Sequence, residues 1–407
     1  MGAIPLYYAD ELVGSLSLSA ENTYCLDYAQ SWQASGFAVS VNLPLRVGHH
    51  EGRVVEYYVE NLLPEGELRK ALAAKHGVSA SNYYALMQAV GKDCAGAFSV
   101  GAPQSSGEYA LLTEADLENE LLHLRATHLP TEHIGKSYSL AGAQDKEVIF
   151  ADNGEFFLPL HGAASNAIIK TPGRHEGSVE NELFCMKLAR AVGLEVADVS
   201  YLPLSRIPSL LVNRYDRRGK GRMIERLLQE DFCQLSVLPS SLKYEKEGGP
   251  GFADCAALIR RYSSLPAADV ARLVDWAGFN IAIGNMDAHA KNIALYQLEG
   301  QKRLAPFYDL ISTRYYPSYL VNADLAMSIG GRINPDKIGG KQWERFAQDI
   351  HFPAPVVLRR LRKLWTAIIA HLPDTAAAVQ QQIGHPSILP DLKAQILART
   401  LHLTREL

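Results

Sequence analysis

The sequence predicts an α+β fold in which two lobes follow an N-terminal α/β subdomain. Three observations carry that expectation. Up to about residue 231, short runs rich in Val, Ile, Tyr and Phe alternate partially with polar residues, as half-buried strands do. From Phe252 onward the apolar residues fall at helical spacing, in ADCAALIRRYS, AADVARLVDWAGFNIAI and VVLRRLRKLWTAIIAHL. Between Trp276 and Asp309 an apolar helical run breaks at Gly284-Asn285 and gives way to a strand-like IALY and then LAPFYDL. A chain of 407 residues has the length for two or three compact units.

In chain order, IPLYYADELVGSLSL reads as two strands around a turn at Ala9-Asp10-Glu11, and TYCLDYA and FAVSVNLPL as two more. EYYVENLLPEGELRKALAAKHG reads as a helix interrupted at Pro64. It restarts with Glu65 and Glu67 in its first turn and stops at Gly77. SNYYALMQAVGKDCAGAFSVG gives helix, glycine-marked turn and strand. Thr113 is placed to cap TEADLENELLHLRA, with Asp116 closing a capping box. The aperiodic stretch from Ala126 to Lys136 sets a boundary. It leaves residues 1–125 as the N-terminal subdomain, 126–232 as a small lobe and 233–407 as a helical large lobe. In the small lobe, EVIF and FFLPL flank an Asn153-Gly154 turn, and the strand AIIK ends in Lys170. SVENELFCMKLARAVG is an amphipathic helix with Ser178 as its cap, Glu180 and Glu182 in its first turn and Gly193 as its stop. VADVSYLPL and SLLVNRYDR complete that sheet.

The composition, 47% hydrophobic and 21% charged with a net charge of −4, is that of a soluble globular protein. It carries no overall signal for nucleic acid or an acidic membrane surface. The five cysteines are scattered and form no C-x-x-C pair, which points to reduced thiols and not to a disulfide frame or zinc site. No charged-then-apolar leader opens the chain and no run reaches the roughly 18 apolar residues of a membrane span. A cytoplasmic protein is expected.

The chemistry concentrates between Asp287 and Asp309. Asp287 and Asn292 have the five-residue offset of the H-R-D-x-x-x-x-N catalytic loop of protein kinases, and Asp309 falls beyond the next strand, where a metal-binding carboxylate would be. Phosphoryl transfer needs such a set: one carboxylate for the hydroxyl proton, and an amide oxygen with a second carboxylate for Mg²⁺. The alternative is a pair of ordinary turn formers after a buried helix. Loop, strand, strand with Lys170, helix with Glu182 and further sheet follow each other as in a kinase small lobe, where such a lysine pairs with a helix glutamate. Glu182 reads equally as a favourable charge near a helix N-terminus. The loop Ser139-Leu140-Ala141-Gly142-Ala143-Gln144-Asp145-Lys146 is small enough for backbone N–H groups to approach phosphate, but reads also as a hairpin. Gln229-Glu230-Asp231-Phe232-Cys233 sits where a chain between lobes would hydrogen-bond an adenine and pack Phe232 on it; a surface turn fits too. Arg359, Arg360, Arg362 and Lys363 read first as the solvated side of an amphipathic helix and second as a basic surface.

Taken together, VENLLPEGELRKALAAKHG, SLAGAQDK, NAIIKTP, VENELFCMKLARAVGLEV, LLVNRYDRR, QEDFCQ, SSLKYEKEGGPG, GNMDAHAKN, LAPFYDLIST and LAMSIGG resemble the HipA family of bacterial serine/threonine kinases, the toxin halves of toxin–antitoxin pairs. The resemblance runs through nearly the whole chain. It implies a bilobal protein-kinase-like fold related to lipid kinases, with the extra subdomain ahead of it. It implies ATP and Mg²⁺ as cofactors, Asp287 as catalytic base, and Asn292 and Asp309 as metal ligands. Ala141, Gly142, Ala143, Gln144, Asp145 and Lys146 would form the phosphate loop, with Lys170 on the phosphates. Glu230, Asp231 and Phe232 would line the adenine, and His289, Ala290, Lys291, Asn292 and Tyr308 would complete the pocket. The family's regulatory autophosphorylation falls on Ser139, with Ser137 a second hydroxyl. A helix-turn-helix antitoxin, operator DNA through that complex and a protein substrate, such as an aminoacyl-tRNA synthetase, are the implied partners. The family's basic DNA-contact residues have no clear counterpart in WERFAQDIHF. A small-molecule phosphotransferase and a non-catalytic subunit of a DNA-bound repressor complex are the alternatives.

Overall fold

The computed structural model describes residues 2–131, 133, 136, 145–173, 175–317, 320–385 and 387–407. The first sheet comprises β1 (Ile4–Tyr8), β2 (Glu11–Leu18), β3 (Tyr24–Tyr28), β4 (His49–Glu51) and β5 (Phe98–Val100), antiparallel in the order β4-β3-β2-β1-β5. Helices α1 (Gln30–Ser35), α2 (Arg53–Leu62), α3 (Gly66–Lys75) and α4 (Tyr83–Val90) belong to the same unit. α2 buries Val55, Tyr58, Val59 and Leu62, one helical stripe, against a core that includes Leu6, Leu26 and Met87. It stops at Leu62 because Pro64 cannot continue it, and α3 restarts with Glu65 at the cap position and Glu67 in the first turn.

FAVSVNLPL does not form the expected strand. Its side chains Val39 and Leu43 are buried, but its amides find other partners. Val39 N donates to Tyr28 Oη at 2.7 Å, Val41 N to Glu230 Oε2 at 3.1 Å and Asn42 N to Ser40 Oγ at 3.0 Å. Once side chains satisfy those groups, a sheet ladder is not needed.

The second sheet comprises β6 (Glu108–Leu112), β7 (Lys146–Asp152), β8 (Glu155–Leu160), β9 (Ala167–Lys170), β10 (Val199–Leu202) and β11 (Ser209–Asn213), in the order β10-β11-β9-β7-β8-β6. Thr113 caps α5 (Glu114–Thr127) with the expected box, Asp116 N to Thr113 Oγ1 at 3.2 Å and Thr113 N to Asp116 Oδ2 at 3.0 Å. β6 pairs with β8, and Leu117 and Leu121 of α5 pack on Ile149, Ala167 and Ile169. Residues 108–127 therefore join the second sheet, and the two sheets part between Val100 and Glu108, not at residue 126. The β7–β8 turn uses Asn153 at φ 50° and Gly154 at φ 84°, as an Asn-Gly hairpin requires. In α6 (Ser178–Ala191), Ser178 is the first helical residue and not the cap. Gly177 precedes it at φ 70°, and the Ser178 hydroxyl accepts from Gly173 N at 2.7 Å.

The hairpin of β12 (Arg217–Lys220) and β13 (Met223–Arg226) leads to β14 (Gln229–Asp231) and α7 (Phe232–Leu235). The large lobe adds α8 (Phe252–Tyr262), α9 (Pro266–Ile283), β15 (Ala294–Leu298), β16 (Gln301–Leu304), α10 (Gly340–Asp349), α11 (Ala354–Ile383) and α12 (Leu389–Glu406). β14, β15 and β16 form one small sheet. Trp276, Phe279, Trp343, Phe346 and Trp365 dominate the core here, and α11 runs through Pro373 to end at Gly384, φ 73°. A buried charge network ties the first unit to the rest. Asp93 lies 3.0 Å from Arg217 and 3.1 Å from Arg226, while Asp216 accepts from Arg214, Arg217 and Gly96 N. Among the described residues no helix is long and apolar enough to cross a membrane.

Candidate active site

The site is built outward from the end of α9. Gly284 at φ 77° terminates the helix, and the buried Asn285 organises the turn that follows. Its Oδ1 accepts from Asp287 N at 3.0 Å and its Nδ2 donates to Asn280 Oδ1 at 2.8 Å. Asp287 is thereby left exposed, and the Tyr244 hydroxyl donates to its Oδ1 at 2.6 Å. A short turn over Ala290–Asn292 follows, capped by His289. His289 N donates to Asn292 Oδ1 at 3.1 Å, and Asn292 Nδ2 lies 3.4 Å from Asp309 Oδ2. Burial holds the His289 imidazole down at about 4, against the opposing pull of Asp287, so it is neutral near pH 7.

The second half comes from the β7–β9 register, which sets Lys146 directly opposite Lys170. Lys170 Nζ donates to Glu182 Oε1 of α6 at 2.6 Å and also to Asp309 Oδ1. Glu182 thus pairs with the strand lysine; it lies beyond the first turn of α6, where of the two expected acids only Glu180 sits. Burial would lower the Lys170 ammonium, but Asp309 and Glu182 outweigh it and raise its pKa. For Lys146 burial is the largest influence. Burial, with Lys170 adding to it, brings it down to about 8 despite Asp309. For Asp309, burial would raise the carboxyl, yet Lys170 and Lys146 hold it below its ordinary range.

These groups face one cleft of about 970 Å³, near the upper end of the roughly 300–1,000 Å³ of small-molecule sites. Asp145, Lys146, Lys170, Asp231, Asp287, His289, Lys291, Asn292, Tyr308 and Asp309 all line it. Asp145 also lies 2.9 Å from His128. Tyr308 stacks on Tyr215 with ring centroids 5.5 Å apart, a flat aromatic wall. The expected phosphate-loop residues Ala141, Gly142, Ala143 and Gln144, and the serines Ser137 and Ser139, lie outside the described residues.

Three expected contacts are not made by side chains. Phe232 is fully buried in the large-lobe core and cannot pack on an adenine. Glu230 turns its carboxylate to Ser40 and Val41 of the first unit. Ala290 is fully buried within the turn. Lys291 lines the cleft with its ammonium already engaged, 2.6 Å from Asp231 Oδ2 and 2.8 Å from Asn61 Oδ1.

The sequence reading missed Tyr244, Asn285, Tyr215 and Glu65. Glu65 lines the cleft from the first unit and accepts from Lys243 Nζ at 2.8 Å. Two local signals could have found some of these. Asn285 is two residues before Asp287, and Glu65 follows Pro64 at a helix start. Asp309 offers a carboxylate at the cleft wall and Asn292 an amide beside it; here the amide oxygen accepts from His289 N and Nδ2 faces Asp309, so with the amide turned over the pair supplies the hard oxygen ligands that Mg²⁺ takes. They fit the metal that the phosphotransfer pattern calls for.

The HipA N-terminal domain profile matches residues 4–101 and the HipA-like C-terminal domain profile residues 138–375. The chain is 36% identical over 373 residues to a putative kinase, Y4mE, of Sinorhizobium fredii, covering 88% of each chain. It is 30% identical over 423 residues to the serine/threonine-protein kinase toxin HipA of Shewanella oneidensis, covering 97% of this chain and 94% of that one. A solved Shewanella oneidensis structure of HipA with HipB and its operator DNA superposes with a TM-score of 0.86 at 27% identity, over 99% of this chain and 98% of that one. With both halves of the family's architecture present, and the Lys170–Glu182–Asp309 set joined to Asp287 in one cleft, the chain belongs to the HipA family of serine/threonine protein kinases.

Proposed function

We propose that the chain is the kinase toxin of a toxin–antitoxin pair, moving the γ-phosphoryl group of ATP to a serine or threonine of a protein in the cytoplasm. A translation component such as an aminoacyl-tRNA synthetase is the proposed substrate. The observation that carries the reading is the convergence of Asp287, Asn292, Asp309, Lys170 and Glu182 on one cleft from four separate segments of the chain. Asp287 accepts the substrate hydroxyl proton, aimed by Asn285 from behind and by the Tyr244 hydroxyl at its side. Lys170 and Lys146 stand where a polyphosphate would meet two positive charges, and Glu182 fixes the first of them. Mg²⁺ held by Asn292 and Asp309 would neutralise charge on the phosphate oxygens.

The HipB and operator DNA of the solved Shewanella oneidensis complex support a helix-turn-helix antitoxin as partner, with DNA reached through that complex. Autophosphorylation at Ser139, or at Ser137, would add about −1.5 to −2 charge beside the phosphate loop and compete with ATP for its donors. Phosphorylated protein is then expected to bind ATP poorly.

The test is phosphate transfer from labelled ATP by the purified protein, with phosphosite mapping in induced cells to name the substrate. Asp287→Asn should lower the rate by about 10²–10⁴-fold while ATP still binds. Asp309→Asn should weaken Mg²⁺-ATP as well. Growth arrest on overexpression should need Asp287. Equal arrest by wild type and Asp287→Asn, or transfer to a small molecule and to no protein, would defeat the reading.

A further inference from the structure

The sheet edge of the first unit carries a group of side chains that phosphotransfer does not use. β3 and β4 pair so that Cys25 faces Glu51 and Asp27 faces His49. Strand alternation puts all four on the face opposite the core-facing Leu26 and Tyr28. The ligating atoms of Cys25, His49 and Glu51 lie within 4.8 Å of one another. Asp27 Oδ1 sits 2.6 Å from His49 Nδ1 and accepts its proton, which leaves the Nε2 lone pair free. That nitrogen is 3.8 Å from Glu51 Oε2. Two ligands at about 2.0–2.3 Å from one tetrahedral ion are about 3.3–3.7 Å apart, so the His49–Glu51 pair is nearly at that spacing and the thiol would close by at most about 1.5 Å. A carboxylate behind a histidine whose other nitrogen faces a second carboxylate, with a thiol in the same cluster, is the usual outer support of a metal ligand.

We propose that Cys25, His49 and Glu51 bind a zinc ion, with Asp27 orienting the imidazole and the fourth position open to solvent. The donor types select the metal. Thiolate with imidazole suits Zn²⁺ and disfavours Mg²⁺, which the cleft's oxygen ligands suit instead. Cys25 is itself buried, at 6% exposure, but it lies beneath the exposed His49 and Glu51, whereas the other four cysteines are at 0–1% in the cores. Binding exchanges the Cys25 thiol proton for the metal, and that proton goes to solvent. The ion would clip the edge strand β4 to β3 just before α2, the helix whose Asn61 holds Lys291 of the catalytic turn.

The experiment uses the full-length protein stripped with chelator, titrated with Co²⁺ and then competed with Zn²⁺. Wild type should take up one equivalent with a thiolate-to-cobalt absorption band, release about one proton, and gain thermal stability with zinc. Cys25→Ser should lose the band, and His49→Ala should weaken zinc binding at least tenfold. Asp27→Asn should weaken it by about 10–100-fold through the lost orientation. Asp309→Asn should leave the band unchanged, which separates this ion from any in the cleft. Circular dichroism of the metal-free variants reports that they fold. A wild type without a thiolate band, or a folded Cys25→Ser or His49→Ala variant that binds zinc as wild type does, overturns the proposal.

Discussion

Two lysines placed opposite each other on neighbouring strands repel, and burial acts on Lys146 and Lys170 with different outcomes. Lys170 has Glu182 and Asp309 and stays charged, whereas Lys146 is brought down to about 8 by burial first and by Lys170 among its neighbours. Lys146 is a cation below that value and neutral above it. If, as proposed, Lys146 faces the nucleotide's phosphates, they would lose one positive partner as pH rises through about 8. In the free enzyme this should appear as a fall in kcat/KM for ATP between pH 7.5 and 9, approaching about tenfold per pH unit at the high end. Lys146→Arg, always charged, should flatten the profile whatever its absolute rate. A flat wild-type profile would show that Lys146 carries no charge to the phosphates. At this scale the sequence was readable where spacing is short: Asp287, Asn292 and Asp309 lie within one stretch, and Lys170 and Glu182 within another. The Lys291 ammonium is held by Asn61, a partner 230 residues away that no local pattern reveals.

Between elements, close approach replaces spacing as the controlling quantity. α9 holds Asp287 at its C-terminal end, and it reaches α11 through Gly278, where an added Cβ would come within 2.4 Å of Leu361 Cδ2. Trp365 Nε1 donates to Gly278 O at 2.9 Å across the same contact. Gly278 adopts ordinary helical geometry, so a helix former there would gain propensity of about 1 kcal/mol and lose packing. Overpacking costs about 1–3 kcal/mol, so Gly278→Ala should be neutral to destabilising and Gly278→Val clearly destabilising. Urea unfolding of the two variants checks the order, and a Gly278→Val protein as stable as wild type would show that the helices can part freely. Such contacts explain which elements were legible. The Thr113–Asp116 box and the Asn153-Gly154 turn are decided by neighbours in sequence and came out as expected. FAVSVNLPL has the composition of a strand, but Tyr28 and the distant Glu230 supply its amides' partners, so its state is decided by tertiary contacts.

Across the whole molecule, the first unit enters the active site directly, since Glu65 and Asn61 hold Lys243 and Lys291. What fixes that unit in place is the buried network around Asp93. Burial would raise the Asp93 carboxyl, but Arg217, Arg214 and Arg226 outweigh it and hold its pKa low, and Asp216 is held low by Arg214 and Arg217 against the same burial. Removing one partner of a buried pair leaves the others uncompensated, at a cost of about 3–5 kcal/mol. Asp93→Ala should therefore destabilise by that order. It should also impair phosphotransfer, because the surfaces that position Lys291 and Lys243 lose their anchor. The pH dependence has a definite sign. Carboxyls depressed in the folded state contribute stability that is fully present above their unfolded value of about 3.9 and is lost as pH falls through the folded values. Wild type should lose stability steeply below about pH 4, whereas Asp93→Asn starts lower at pH 7 and falls less on acidification. Equilibrium unfolding of both proteins at pH 7 and pH 3 decides it: parallel losses would mean that the Asp93 charge does not secure the first unit to the kinase lobes.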